Sequence, residues 1–198
     1  MKQGVTQGAK QGATRKTVYM AVVAATLLLA GQAAQAQQQT PAAPRPAGCA
    51  DDPLFSQQDF TLGTWDVYNG PGETATRSAQ VKMEKVVGGC GIYEVWTPAA
   101  GRDRGHGRGL FAYSRVVKGW QYFWISDAGD TTLMEGALIG DGHIRYITEY
   151  WTRDNRKRIN HWDLIRMPDG RVREFSVISD DLGLNWRTEY DLYWKKVD

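Results

Sequence analysis

From residue 59 onward the chain repeats one pattern: about eight to twelve residues rich in Val, Ile, Thr, Tyr and Trp, followed by a turn signal. The turns include Asn69-Gly70-Pro71-Gly72, Gly88-Gly89, Lys118-Gly119, Gly129-Asp130, Asp141-Gly142, Asp154-Asn155 and Asp169-Gly170. Asp-Gly between alternating segments supplies the positive φ angles that tight hairpins need. No segment after residue 59 carries a 3.6-residue apolar period. The pattern predicts about ten strands, at 62–69, 75–87, 91–98, 108–117, 120–127, 131–139, 143–153, 157–167, 171–179 and 186–197. Consecutive short hairpins make a meander, and closing a meander into an up-and-down antiparallel barrel removes its exposed edges. The expected fold is therefore all-β, with a β-sandwich as the competing architecture.

Turn placement predicts which side chains share a face. A two-residue turn at Asp141-Gly142 pairs Ile139 with Ile144, Ala137 with Tyr146 and Glu135 with Thr148, and puts Leu133, Glu135, Ala137 and Ile139 inside. Around Lys118-Gly119, Arg115 pairs with Tyr122 and Tyr113 with Trp124, so Trp120, Tyr122 and Trp124 share one face. Around Asp169-Gly170, Asp163 pairs with Ser176 and His161 with Ile178. That hairpin carries apolar residues and opposed arginines on the same face, so the pattern leaves its inner side open.

The first 36 residues have a different character. Lys2, Lys10, Arg15 and Lys16 form an acid-free start, Val18 to Ala30 is apolar, and Ala34-Gln35-Ala36 fits a signal-peptidase site. The apolar run is about 13 residues, short of the roughly 20 needed to span a bilayer. The reading is a cleaved secretory signal over 1–36, a disordered Pro/Ala/Gln-rich linker over 37–53, and a barrel domain over 54–198. The expected location is the periplasm or the medium, with no integral membrane span after cleavage.

The leader also changes the charge. The chain has 24 basic and 22 acidic residues. Without the leader's four lysines and arginines it has 20 basic and 22 acidic residues, a net of −2, which does not support a nucleic-acid face. In an oxidising compartment the two cysteines, Cys49 and Cys90, pair most simply as a disulfide. The closed loop would stabilise by about 4 kcal/mol.

Gly63-Thr64-Trp65, at the first strand, resembles the Gly-x-Trp start of lipocalin and calycin-like barrels. The resemblance implies that Trp65 packs near the barrel floor under a basic residue of the last strand, Arg187 or Lys195. Over roughly 54–197 the chain resembles an exported bacterial calycin-like family of unknown function. The resemblance rests on Phe60, Gly63 and Trp65, on Gly88-Gly89-Cys90, and on Ser179, Asp181, Gly183 and Trp186. The chain departs from that pattern at Thr61 and Asn185. The family implies architecture and export and offers no catalytic residues to carry over. The terminal motif also looks like a sialidase Asp box, read here as a structural hairpin turn.

Candidate chemistry is sparse. Gly101 to Arg108 is a basic, glycine-rich loop that either clamps an anion at a barrel mouth or is simply solvated, and it lacks the Lys-Ser/Thr ending of a P-loop. His161 and Asp163 at i and i+2 sit about 7 Å apart, too far for a direct hydrogen bond. No histidine pair has metal-ligand spacing, so neither metal nor cofactor is expected, although a lone strand histidine could bind haem iron as in the nitrobindin barrels. Glu135, Glu94 and Glu174 could face inward. A buried acid needs a partner or a raised pKa, and Arg115 or Arg145 are candidate partners.

The leading expectation is a barrel that binds a small apolar or aromatic molecule. Its lining candidates are Trp96, Tyr113, Tyr122, Trp124 and Tyr146, with Glu94, Glu135 and His161 as polar contacts. The alternative is a cofactor-free isomerase, lyase or hydratase using Glu135 and Tyr122 as acid–base groups. A third reading is a structural or envelope-interaction module.

Overall fold

The computed structural model describes residues 48–197. The ten predicted strands are all present: β1 (Gly63–Tyr68), β2 (Arg77–Val86), β3 (Gly91–Pro98), β4 (Gly107–Ser114), β5 (Gly119–Ser126), β6 (Thr131–Gly140), β7 (His143–Trp151), β8 (Lys157–Arg166), β9 (Val172–Ser179) and β10 (Arg187–Lys196). Each is antiparallel to its sequence neighbour, and β1 pairs with β10, with Trp65 opposite Lys196 and Val67 opposite Trp194. The meander is thus a closed barrel without edge strands, compatible with a calycin-like fold.

One end of the barrel is plugged by the chain that precedes β1. Three short 3₁₀ turns, Cys49–Asp51, Pro53–Ser56 and Asp59–Thr61, lie under the hairpins at that end. Phe55 packs edge-on against Tyr113, with ring centroids 5.4 Å apart. Trp120 Nε1 donates to Gln57 Oε1 at 2.9 Å, and the Tyr146 hydroxyl donates to buried Gln58 Oε1. Trp65, 2% exposed, donates from Nε1 to the Thr61 carbonyl. The Lys196 ammonium, rather than Arg187 or Lys195, lies 5.2 Å from its ring centroid. Trp65 is buried at this end of the barrel, and Lys196, opposite it on β10, covers the ring while staying exposed to solvent.

Cys49 and Cys90 are bonded, fixing this plug to the β2–β3 turn. Gly89 has a φ of 88° there, and a Cβ on it would sit 3.1 Å from the Ala50 backbone. The leader over 1–36 and most of the expected linker lie outside the described residues. Residues 49–53, expected to be disordered, instead form the start of the plug, because the disulfide and an Asp52–Arg115 ion pair (2.8 Å) hold them.

The hairpins depart from two-residue turns in an informative way. Between β6 and β7 the register shifts between Leu138 and Gly140, leaving Leu138 opposite Ile144 and Gly136 opposite Tyr146. One extra residue on one strand reverses every side chain beyond it. Met134 therefore points inward, while Leu133, Glu135, Ala137 and Ile139 are exposed. Between β8 and β9, Asp163 faces Phe175 and Trp162 faces Ser176, again one residue from expectation. Trp162 and Leu164 are buried inside, with Glu174 and Ser176 across from them. Around Lys118-Gly119 the offset is even, with Phe111 opposite Tyr122 and Gly109 opposite Trp124, so the shared face of Trp120, Tyr122 and Trp124 survives.

Candidate functional site

At the end opposite the plug, the loops after β1, β3, β5 and β7 border an open pocket of about 1150 Å³ that enters the barrel and also reaches over the exposed Phe123 and Leu133. Trp96, Tyr122, Trp124, Trp162, Tyr190 and Leu192 supply much of its wall. Glu94, Asn160, Glu174 and Glu189 are polar groups in the wall, and Ser78, Thr132, Thr148 and Arg158 line it as well.

Two glycines on β4 create room for this wall. A Cβ at Gly107 would fall 1.9 Å from the Trp124 ring. A Cβ at Gly109 would fall 2.2 Å from Glu94 Oε2 and 2.7 Å from Tyr122. Substituting either would force its neighbour out of place.

Tyr122 links floor to cavity. Its ring stacks on Phe111 with centroids 4.2 Å apart, lies 4.8 Å from Trp162, and donates from its hydroxyl to Glu94 Oε2 at 2.8 Å. Beneath it Phe111 and Tyr146 are wholly buried. These rings stop the cavity short of the plug.

Glu174 is held from several sides. Trp162 Nε1 donates to Oε1 at 3.1 Å and Trp194 Nε1 donates to Oε2 at 2.9 Å, and the Tyr190 hydroxyl is close enough to affect its charge. A second relay runs outward. Asn160 Nδ2 donates to Ser176 Oγ at 2.7 Å, and Ser176 Oγ donates to Glu189 Oε2 at 2.9 Å. Glu189 reaches the cavity because the β9–β10 register shifts between Thr188 and Tyr190.

Glu94 and Glu174 are 3% and 6% exposed. Burial pushes the Glu94 carboxyl up to about 8, reinforced by repulsion from Glu174 and opposed by the Tyr122 hydrogen bond. Burial pushes Glu174 up to about 7, opposed by Trp194, Trp162 and Tyr190. The same burial and the neighbouring acids hold the Tyr122 and Tyr190 hydroxyls well above the usual phenol range. The expected arginine partners are engaged elsewhere. Arg145 pairs with Asp163 at 2.8 Å on the outer wall, and Arg115 pairs with Asp52.

Of the sequence candidates, Glu94, Trp96, Tyr122 and Trp124 meet at the cavity. Tyr146 lies in the packed floor, and Tyr113 sits between Phe55 and Trp120 at the plugged end. Glu135 is exposed on the outer face, turned out by the β6 bulge. His161 also faces outward, stacked on Trp186 at 4.3 Å, and burial holds its imidazole below the usual histidine range. Missed were Trp162, Asn160, Glu189 and Tyr190, along with the site role of Glu174. The parity of the β8–β9 turn decides the inner face there, and the β10 bulge exposes Glu189.

The basic loop joins the rim through Arg102 and Arg104. Its Gly105 and His106 amides donate to Asp127 at 2.9 and 3.1 Å. The terminal motif is a closed hydrogen-bonded turn. Asp181 accepts from Ser179 Oγ and the Asn185 amide, which with Asn185 Nδ2 hold its carboxyl down to about 2.

No protein-family model matches the chain, and a search of curated proteins finds no match.

Proposed function

We propose that the barrel binds a small, largely apolar or aromatic molecule in its open cavity. The observation that carries this reading is the combination of about 1150 Å³ of space with a wall of tryptophan, tyrosine and leucine side chains above a few convergent polar groups. Ligand sites combine apolar walls with a small set of orienting polar groups in this way. Trp96, Trp124 and Trp162 hold the body of the ligand, and Glu94, Glu174 and Asn160 orient its polar end. The leader and the disulfide support action outside the cytoplasm, in the periplasm or the medium. The test is native mass spectrometry and an ultraviolet–visible scan of the purified mature protein. A retained small molecule released on denaturation is the expected result. A bare mass, with no binding from a broad panel of aromatic compounds, counts against the reading.

A second reading has its own observation. The Glu94 carboxyl titrates near 8 and hydrogen-bonds the Tyr122 hydroxyl beside the cavity, so it can exchange a proton at neutral pH. In a cofactor-free isomerase or lyase of this kind, Glu94 moves the proton and Tyr122 positions it. Glu94→Gln then leaves binding largely intact and lowers turnover by roughly 10²–10⁴-fold, whereas a binding module has no turnover to lose.

A further inference from the structure

We infer that the ligand of this cavity carries an ammonium group, which lodges between the Glu94 and Glu174 carboxyls inside the aromatic wall. The inference rests on the proposed ligand-binding reading and names the chemical class of the ligand.

The arrangement of charge leads to it. Glu94 and Glu174 rise from β3 and β9, four strands apart around the ring, and meet across the interior closely enough to repel. Among the described residues no lysine or arginine ion-pairs with either carboxyl. The donors that Glu174 has are neutral: two indole N–H groups. Glu189 adds a third carboxylate higher in the same cavity, held by Ser176. A buried acid pair without a cation is costly unless it is protonated or acquires a positive partner.

The wall around the acids suits the same guest. Tyr122, Trp124 and Trp162 present aromatic rings to the cavity, with Tyr122 4.8 Å from Trp162 and 6.5 Å from Trp124. Ring faces attract ammonium groups, and the attraction grows when water is excluded. An anionic group has no comparable seat at this depth. The cations that line the cavity, Arg102, Arg104, Arg153 and Arg158, belong to the rim. The first three are exposed, and Arg158 is paired with Asp180 at 2.6 Å. Exposed charges at the rim are screened by salt within about 8–10 Å. They leave the deep field to the acids.

Binding is coupled to proton release. The titratable groups facing the two carboxyls are the Tyr122 hydroxyl from β5, Tyr146 from β7 and Tyr190 from β10, with Glu189 beside Tyr190, and none of them is cationic. An arriving ammonium ion favours the ionised carboxylates, so protons that Glu94 and Glu174 hold near neutral pH leave to solvent. The ammonium keeps its own proton, and its nitrogen donates to carboxylate oxygen. Affinity therefore rises with pH from 6 to 9, while an alkylammonium with a pKa near that of lysine, about 10.4, stays charged.

The experiment is calorimetric titration of the mature protein with three probes sharing one ring: tryptamine, the neutral alcohol indole-3-ethanol, and the anion indole-3-acetate. Tryptamine is expected to bind at least 10-fold more tightly than the alcohol at pH 8. Titrations in phosphate and Tris at pH 7 should reveal released protons through their different ionisation heats, a readout that needs no variant. Glu94→Gln and Glu174→Gln should each reduce the preference for tryptamine over the alcohol to under about threefold. If the alcohol or the acid binds as tightly as the amine, the cavity takes an aromatic ligand but the ammonium assignment is overturned. If none of the three binds, the ligand-binding reading falls with it.

Discussion

The Tyr122 hydroxyl donates a 2.8 Å hydrogen bond to Glu94 Oε2 in the barrel interior, within a site that Gly109 leaves open. A side chain at residue 109 cannot coexist with that pair. Gly109→Ala is expected to destabilise the protein by about 1–3 kcal/mol, the usual cost of overpacking. It should also weaken ligand binding. Chemical denaturation of the purified variant measures the first effect, and a change below about 0.5 kcal/mol would show that the pair moves aside freely.

Glu94 and Glu174 make stability depend on pH with an unusual sign. Their folded pKa values, about 8 and about 7, lie above the ordinary glutamate value of 4.5. Between 4.5 and 8 the folded protein therefore holds more protons than the unfolded chain, and stability falls as pH rises. The stabilising contribution is fully present below the unfolded value and is lost through the folded ones. Thermal melts should show Tm falling by roughly 5 °C or more from pH 5 to pH 9, with the slope reduced in Glu94→Gln. Below pH 4 the lowered carboxyl of Asp181, at about 2, and those of Asp52 and Asp180 make acid destabilising in the usual direction.

Cys49 and Cys90 tie the floor plug to the barrel. Reduction, or Cys49→Ala with Cys90→Ala, should cost about 4 kcal/mol and lower Tm by roughly 10 °C. Thiol titration of the unreduced native protein should find no free sulfhydryl. Two reactive thiols in that titration would contradict the bridge.

Trp65 joins the plug to the first and last strands, through Thr61 and Lys196. Trp65→Ala should destabilise by about 3–5 kcal/mol. Lys196→Ala removes a cation over the ring and should cost about 1 kcal/mol. A loss below about 1 kcal/mol for Trp65→Ala in urea denaturation would mean that the ring is not the floor anchor.

The sequence signals that were legible are local ones. Val, Tyr and Trp-rich segments between Gly-containing turns mark all ten strands, and the closed meander follows from them. Side-chain facing depends on something finer, the parity of each turn. The Lys118-Gly119 turn differs from its simplest form by an even number of residues, so Tyr122 and Trp124 share the face that the simple turn predicts. The β6 bulge and the β8–β9 turn differ by one, which carried Glu135 outward and brought Trp162 inward. A bulge has no fixed sequence signature in a strand such as Gly136-Ala137-Leu138-Ile139, where either face reads as apolar. Glu174 was a possible inward acid, but its donors come from Trp162 and Trp194, whose facing and proximity depend on long-range registers.

The most direct test of the binding cavity uses the protein's own tryptophans. In a two-dimensional ¹⁵N–¹H spectrum, each of the eight indole N–H groups gives its own signal. Of tryptamine, indole-3-ethanol and indole-3-acetate, tryptamine should shift the signals of Trp96, Trp124 and Trp162, which line the cavity, at the lowest concentration. It should leave those of Trp65 and Trp120, beside the plug, and of Trp186, on the outer face, where they are. Shifts confined to Trp186, or no shift with any of the three, would contradict the assignment of this barrel as a small-molecule binder.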